Sequence, residues 1–359
     1  MHSVFARLNA VFSILLGALP ALIFLWLPEA QAAGGRTMIY HYADRCKYSQ
    51  YQLRVLKDAA YARHIKVENG CGTTGLTQLV EMLGHGESKP DAIAIHAIVP
   101  ANTAPVLHEA AKAQIPVLYL EADPGDQILN SAGENWFIGP NSRALGRLQS
   151  MLLKEYIDNQ PKWDRNGDGQ LSCLLVKGSE ELGETQSRTK NFKAGIRKLK
   201  LPVKIIAELN SNFEQDKARE LLTETFSDHP ERLQELEAVV CNNDILALGT
   251  LEALQALHYN EAQQSADALR VPIIGIGGMQ EALAEIERGT LYGTVLYDAP
   301  DIIDPALDIA VMFHDQHRIN IDAEQSRLQR SEHRLLVPYQ IVYKNFGEVM
   351  VKRRVDLIP

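Results

Sequence analysis

The sequence is short of positive charge and carries none of the common catalytic signatures. Its 359 residues include 36 lysines and arginines against 45 aspartates and glutamates, a net charge of −9. A nucleic-acid partner is excluded, because phosphate binding requires a basic surface and no basic patch interleaved with aromatics occurs. No G-x-S-x-G elbow, P-loop, H-E-x-x-H motif or nucleophile–base pair is visible. We therefore expect a binding protein rather than an exported enzyme.

Long hydrophobic runs are also missing, except for one near the start of the chain. Residues 10–27 form an apolar run that is followed by the small-residue site Ala30-Gln31-Ala32. This arrangement predicts a secretory signal peptide over residues 1–32, cleaved after Ala32. The length of the run leaves a membrane anchor as the alternative, although Pro20 and the cleavage site favour removal. We expect an exported, periplasmic protein.

Cysteine is scarce, with four in the chain: Cys46, Cys71, Cys173 and Cys241. In an oxidising compartment a disulfide can form. Cys46 and Cys71 follow the first two predicted strands and could meet, but the sequence leaves their pairing open. Cys173 and Cys241 lie inside apolar strand patterns, so we expect them to be buried thiols.

Short apolar runs alternate with longer helical patterns, and the alternation occurs twice. The first series runs from T-M-I-Y-H-Y (37–42) to W-F-I-G-P-N-S (136–142), and the second from L-S-C-L-L-V-K-G (171–178) to Y-G-T-V-L (292–296). Two successive series of this kind predict an α/β fold with two doubly wound parallel-sheet lobes. Ligands bind beyond the carboxyl ends of such strands, so we expect the site where those ends face each other.

One stretch between the two series is typical of a calcium loop. D-R-N-G-D-G-Q-L-S (164–172) places oxygen-bearing residues at alternate positions and a glycine where the chain must turn. The twelfth position, where a helix–loop–helix site supplies a glutamate, is Leu175. Because L-S-C-L-L-V-K-G predicts a strand, Leu175 is expected to be core, and a further carboxylate must come from elsewhere.

The chain resembles the type I periplasmic solute-binding proteins, in their galactose/glucose-binding branch. The resemblance rests on 164–172 together with E-A-V-V-C-N-N-D (237–244), supported by K-G-S-E-E-L-G-E-T-Q-S-R (177–188) and V-P-I-I-G-I-G (271–277). It implies two lobes joined by a three-segment hinge. The implied N-terminal lobe is 33–121 plus 297–336, and the implied C-terminal lobe is 122–296 plus 337–359.

The resemblance also implies a structural Ca²⁺ site. Its ligands would be Asp164, Asn166, Asp168, the Gln170 carbonyl, Ser172 and, from a neighbouring strand, Glu237. The alternative for Glu237 is a solvated strand end. Ser172 is a departure, because a longer amide is usual at the ninth position and a hydroxyl reaches less far.

The sugar site implied by the resemblance consists of Asp44, His96, Glu184, Arg188, Phe213, Asn243 and Tyr297. Several of these depart from the branch, and an acid expected at 277 is Gly277. Four of them also have a simpler explanation: Asp44 and Asn243 could each cap a helix, Arg188 could pair with a carboxylate on its own helix, and His96 could be a satisfied buried histidine.

The function expected from the sequence is the binding of a small carbohydrate by a periplasmic monomer that serves an ABC permease. The altered pocket keeps an alternative open. In that alternative the closed protein is a sensor that engages a chemoreceptor or a sensor kinase and drives no transport.

Overall fold

The structure is a computed structural model that describes residues 35–42, 47–85, 89–96, 100–227, 230–261, 270–319, 329–331, 333–345 and 347–353. The expected signal peptide, Asp44 and Cys46 lie outside these ranges. No helix within the described ranges is long and apolar enough to span a bilayer. The described residues from Arg36 onward form one compact unit.

The helices and strands alternate along most of the chain. The strands are β1 (Arg36–Tyr42), β2 (Ile65–Cys71), β3 (Ala92–His96), β4 (Val117–Leu120), β5 (Asn135–Gly139), β6 (Leu171–Lys177), β7 (Val203–Asn210), β8 (Ala238–Cys241), β9 (Ile273–Gly277), β10 (Gly293–Leu296), β11 (Gln329–Ser331), β12 (Arg334–Leu336), β13 (Gln340–Asn345) and β14 (Glu348–Arg353). The α-helices are α1 (Lys47–Tyr61), α2 (Gly72–His85), α3 (Ala104–Ala113), α4 (Asp126–Leu129), α5 (Ser142–Asn159), α6 (Gly183–Leu199), α7 (Gln215–Ser227), α8 (Pro230–Glu235), α9 (Asp244–Ala256), α10 (Gln280–Arg288) and α11 (Ala299–Gln316).

Among the described residues the strands form two seven-stranded sheets. Their orders are β11-β12-β5-β4-β3-β1-β2 and β14-β13-β10-β9-β8-β6-β7. Six strands of the first sheet are parallel, with β11 antiparallel at its edge. Five strands of the second are parallel, and β13 and β14 extend it by antiparallel pairing. The predicted two-lobe architecture of doubly wound parallel sheets is confirmed.

The central strands are apolar on both faces because helices cover both sides of each sheet. Every residue of β3 is buried, as is every residue of β6 except its last. Alternate residues enter different core clusters: Ala94 and Leu118 pack on one face of the first sheet, and Ile93 and Val117 on the other.

The implied lobe boundary between residues 121 and 122 is wrong. Strand β5 pairs in parallel with β4, with Val117 opposite Asn135 and Leu120 opposite Ile138. Residues 122–139 therefore belong to the first lobe, because β5 is a paired internal strand of its sheet. The chain crosses to the second lobe only afterwards, where α5 begins and packs against α6, β9 and β10.

Two later crossings connect the same sheets. Strand β10 belongs to the second sheet, whereas the next helix, α11, packs against β1 and α1 of the first lobe. Strand β12 then joins the first sheet and β13 the second. The segments that pass between the lobes are thus 140–141, 297–298 and 337–339.

The expectation for two of the cysteines is also confirmed. Cys173 and Cys241 are fully buried thiols on β6 and β8, and burial raises the pKa of Cys241 to about 12. Burial raises the pKa of Cys173 as well. Cys71 is a partly buried free thiol opposite Tyr42, the last residue of β1.

Candidate functional site

The loop 164–172 is organised around side-chain oxygens that accept hydrogen bonds from its own backbone. Asp164 Oδ1 accepts from the N–H of Gly167 at 2.7 Å, and Oδ2 accepts from the N–H of Gly169 at 2.8 Å. Both glycines have positive φ, 74° and 78°, which glycine adopts at little cost. They let the backbone curl around the Asp164 carboxylate.

The same pattern continues at alternate residues. Asn166 Oδ1 accepts from the N–H of Asp168 at 2.9 Å, and Asp168 Oδ1 accepts from the N–H of Gln170 at 2.8 Å. The oxygen-bearing side chains of positions one, three and five are therefore ordered by the loop itself.

Glu237 closes the loop from the adjacent strand. It directly precedes β8 and is 1% exposed. Its Oε1 accepts from the N–H groups of Arg165 at 2.6 Å and Asn166 at 3.3 Å, and its Oε2 accepts from the N–H of Ser172 at 2.9 Å. The solvated strand end considered as an alternative is excluded, since the carboxylate is buried against the loop.

The predicted ligand set offers only oxygen atoms, which is the donor chemistry that Ca²⁺ prefers. In the part of the chain that the structure describes, no group of three or more His, Cys, Asp or Glu side chains is arranged to hold a metal ion. An ion in this loop would thus depend on the Asn166, Gln170 and Ser172 oxygens as well as on carboxylates. Leu175 is 3% exposed and lies in the core, as expected.

Arg188 and Glu184 form a buried ion pair on α6. Arg188 is 2% exposed; its Nη2 donates to Glu184 Oε2 at 3.1 Å and its Nη1 donates to the carbonyl of Asn242 at 2.9 Å. The pairing with a carboxylate on its own helix, left open by the sequence, is present. These contacts hold the planar guanidinium in one orientation at the carboxyl end of the sheet.

Of the two asparagines after β8, the structure gives the connecting role to the one that sequence reasoning missed. Asn243 caps α9 and accepts from the N–H of Leu246 at 3.0 Å. Asn242 Oδ1 accepts from the N–H of Gly178 at 3.2 Å, and its carbonyl accepts from Arg188. The N-N-D motif contains both residues. The sequence does not show which of the two side chains caps the helix and which bonds to the end of β6, because that depends on the direction in which each side chain points.

Phe213 covers Gly178 at the end of β6. It follows β7 in a left-handed conformation with φ of 64°, and a Cβ placed on Gly178 would lie 2.1 Å from its ring. Through Gly178 and Asn242 the half-buried ring belongs to the same group as Arg188. The structure thus gathers Glu184, Arg188, Phe213 and Asn243 around the carboxyl ends of β6, β7 and β8.

In the first sheet, His96 faces a carboxylate that the sequence analysis did not select. His96 ends β3 and Glu121 directly follows β4; they are 3% and 4% exposed, with 3.3 Å between Nε2 and Oε2. Gln52 on α1 donates to the other oxygen of Glu121. Glu121 could have been found by the strand-end rule, since it directly follows the apolar run P-V-L-Y-L.

Tyr297 connects this carboxylate to the second sheet. It follows β10, is 6% exposed, and its hydroxyl donates to Glu121 Oε2 at 3.5 Å. The contact joins the carboxyl ends of the two sheets at the crossing after β10. His96 and Tyr297 therefore meet at one side chain.

The position where the resemblance implied an acid, Gly277, lies beside a different acid. Asp244 Oδ2 accepts from the N–H groups of Gly278 at 2.6 Å and Met279 at 2.9 Å, and Oδ1 accepts from the Thr294 hydroxyl at 2.7 Å. Burial raises the pKa of Asp244 to about 6, and these hydrogen bonds oppose the rise. A Cβ on Gly277 would lie 3.3 Å from Asp244 Oδ2, so a second carboxylate there would face the first.

Two α/β lobes, crossed three times by the chain and carrying polar side chains at facing strand ends, define a two-lobed binding protein. The sequence matches the periplasmic binding protein domain over residues 56–315, more than half of the chain. The chain belongs to this periplasmic family, and it is a solute-binding protein rather than an enzyme.

The individual proteins that this chain resembles share only about a quarter of their residues with it, or fewer. The D-galactose/methyl-galactoside binding periplasmic protein MglB of Haemophilus influenzae is 26% identical to this chain. The match covers 58% of this chain and 59% of the length of that protein. A putative rhizopine-binding protein of Rhizobium meliloti is 25% identical over 73% of this chain and 74% of its own. An ABC transporter solute binding protein from Bacillus halodurans, solved with bound myo-inositol, has a TM-score of 0.68 and 18% identity over 87% of this chain and 96% of its own. At that identity the last comparison shows the fold alone.

Proposed function

We propose that the protein binds a small carbohydrate or polyol between its lobes and delivers it to an ABC permease. The observation that carries the proposal is the contact between Tyr297 and Glu121, because it brings polar groups of both sheets to one place. The relatives named for galactosides and rhizopine, and the structural neighbour with myo-inositol, support this class of ligand.

The side chains at the strand ends match what hydroxyl recognition requires. Sugar hydroxyls need both acceptors and donors, and the apolar face of a ring packs on an aromatic side chain. Glu121 and His96 supply an acceptor and a ring nitrogen in the first lobe. Arg188 supplies N–H donors and Phe213 a ring in the second. We include Asp44, Glu184, Asn243 and Tyr297 in the proposed site.

The proposed ligand differs from glucose and galactose in detail. Gly277 provides no carboxylate, and Tyr297 presents a phenol already engaged by Glu121. A site that lacks partners for some hydroxyls rejects the sugar that needs them, because those groups are left unpaired on binding. We therefore expect a different monosaccharide or a cyclic polyol to bind more tightly than galactose.

A thermal-shift and calorimetric screen tests the proposal. Galactose, glucose, allose, arabinose and myo-inositol are titrated against the purified protein, and at least one should stabilise it by about 2.7 kcal/mol at a hundred times its Kd. Tyr297→Phe should weaken binding, whereas the matched variant Tyr343→Phe, whose hydroxyl contacts Glu155 on α5, should not. The absence of binding by every pentose, hexose and polyol would refute the carbohydrate assignment.

Uptake measurements separate delivery from sensing. Cells lacking the protein should lose accumulation of the labelled ligand, which is the expected result for service to an ABC permease. If accumulation is unchanged and only a chemotactic or transcriptional response to the ligand is lost, the sensor alternative replaces the transport role.

We also propose that the loop 164–172 binds Ca²⁺ as a structural ion. The support is the oxygen-only donor set, the two left-handed glycines and the buried Glu237 carboxylate against the loop. Asp164, Asn166, Asp168, the Gln170 carbonyl, Ser172 and Glu237 would hold the ion. A bound cation would offset the mutual repulsion of the carboxylates and make the loop part of the folded second lobe.

The processing of the N-terminus and the oligomeric state of the protein are also proposals. We propose export with cleavage after Ala32, followed by life as a periplasmic monomer. Mass spectrometry of the mature protein should give an N-terminus at Ala33, and light scattering should give the mass of one chain. An intact N-terminal segment in the membrane fraction would favour the anchor instead.

A further inference from the structure

A second concave region lies on α6, on a face next to the one that carries Glu184 and Arg188. It is a pocket of about 330 Å³ between α6, the end of β6 and the loop that follows. One face of the helix lines it, with residues repeating at the helical spacing: Thr185, Gln186, Thr189, Lys190, Lys193 and Arg197. Lys177 and Glu180 complete the wall.

The pocket is positively charged in a protein whose net charge is −9. Lys177 forms ion pairs with Glu180 and, at 3.2 Å, with Glu208; Lys193 also pairs with Glu208. Lys190 and Arg197 form no ion pair with any described residue. Two of the four cations in the wall are thus uncompensated, which makes this pocket a focus of positive potential.

Thr185, one of the lining residues, carries a buried hydroxyl that has no protein partner among the described residues. Thr185 is 1% exposed, and its Oγ1 makes no hydrogen bond within the described part of the chain. Buried hydroxyls are normally paired, so an unpaired one in a pocket wall indicates a partner that is not protein. A solvated basic helix face explains Lys190 and Arg197 but does not explain Thr185.

From this pocket we infer a second binding site, for a small multivalent oxyanion such as a phosphate or a polycarboxylate. The cations of Lys190 and Arg197 would neutralise its charge, with the guanidinium suited to two parallel hydrogen bonds. The Thr185 hydroxyl is sealed from solvent in the unliganded protein, so it would turn toward the pocket to donate to one oxygen of the anion. Thr189 is linked to the carbohydrate site through Asn242, whose Nδ2 donates to Thr189 Oγ1 at 3.3 Å and whose carbonyl accepts from Arg188. The inference does not depend on the identity of the proposed sugar.

Calorimetric titration of the purified protein with inorganic phosphate and, separately, with citrate tests the site at constant ionic strength. We expect saturable binding of at least one of them, and the one that binds more tightly identifies phosphate or carboxylate as the preferred group. The double variant Lys190→Gln/Arg197→Gln should weaken binding about tenfold or more. The control Lys198→Gln removes one positive charge from the same helix outside the pocket, where the double variant removes two, and should bind as the wild type does.

Thr185→Val provides the second variant. It keeps the side-chain shape and removes a hydroxyl that has no described partner, so the unliganded protein should melt at the wild-type temperature or slightly above it. Anion affinity should nonetheless fall. The inference is overturned if neither anion binds saturably, if the double variant binds as tightly as the wild type, or if Lys198→Gln loses as much affinity as the double variant. Because no sugar is present, failure here leaves the carbohydrate proposal untouched.

Discussion

Glu237 and Ser172 form two hydrogen bonds with each other. The backbone N–H of Ser172 donates to Glu237 Oε2 at 2.9 Å, and the N–H of Glu237 donates to the carbonyl of Ser172 at 2.9 Å. One bond belongs to the pairing of neighbouring strands and the other is made by a buried carboxylate. The ninth position of the loop is therefore fixed to the start of β8, so a change at this carboxylate affects both the loop and the second sheet.

Glu237→Ala should remove most of the calcium response. We expect calcium to raise the Tm of the wild type and to have little effect on the variant. Without calcium the variant should still be less stable, by about 1–3 kcal/mol for each loop N–H that is left buried and unpaired. Differential scanning fluorimetry with calcium and with chelator measures both effects.

The exposed Glu235→Ala serves as the matched control for that experiment, since it removes the same charge just before the strand and should keep the calcium response. If chelator leaves the wild-type melting curve unchanged, the loop does not bind calcium under those conditions and the proposal is lost.

Glu121 and Tyr297 should be energetically coupled, because the hydroxyl of one donates to the carboxylate of the other across the two sheets. Glu121→Gln replaces an acceptor with an amide facing donors and should cost about 1–3 kcal/mol, and Tyr297→Phe about 1 kcal/mol. A double-mutant cycle by urea unfolding should give an interaction energy of at least about 0.5 kcal/mol. Strict additivity would mean that the contact carries no energy.

Arg188→Met should be among the more damaging substitutions in the second lobe. It leaves Glu184, whose side chain is 9% exposed, without its compensating charge, and removing one partner of a buried pair costs about 3–5 kcal/mol. The double variant Arg188→Met/Glu184→Gln should recover part of the lost stability, because it leaves no buried charge without a partner. Equal unfolding free energies for the single and double variants would contradict this account.

Gly178→Ala should disturb the ring of Phe213. The new Cβ would approach within 2.1 Å of that ring, so the ring must move or the strand end must shift, at a cost of about 1–3 kcal/mol. Ligand affinity should fall if the ring packs on the sugar. Combining it with Phe213→Ala removes the clash, so the double variant should be more stable than the sum of the two single effects predicts.

Asp244 should make stability fall as pH rises. Its folded pKa of about 6 lies above the unfolded value of 3.8, so the native state binds more protons between these values. The stabilisation associated with the protonated form is complete below pH 3.8 and is lost as pH rises through about 6. A shift of this size corresponds to about 3 kcal/mol.

Asp244→Asn should abolish that dependence, since the amide does not titrate and can still accept from the N–H groups at 278 and 279. Urea unfolding of both proteins at pH 4, 5, 6 and 7 measures the difference. Parallel curves for the two proteins would show that Asp244 does not titrate in this range.

Several elements were predictable from local pattern alone. The strand from Leu171 to Lys177 and the burial of Leu175 follow from an apolar run with no helical period, and the turns at Gly167 and Gly169 follow from glycine's access to positive φ. The cap at Asn243 could be inferred as one of two alternatives, because an amide before an apolar helix is a common start signal. The local sequence does not determine whether an asparagine at this position caps a helix, binds a ligand, or does both.

The sequence by itself determined the two α/β series and the oxygen-bearing loop, because these depend on the spacing of residues that are neighbours in the chain. Only the tertiary structure decided that β5 belongs to the first sheet, that Glu121 meets Tyr297, and that Asn242 links Arg188 to Gly178. Each of those outcomes depends on pairing between residues distant in the chain. An apolar strand pattern fits beside several possible neighbours, and the choice among them is made by the burial and hydrogen bonding of the whole fold.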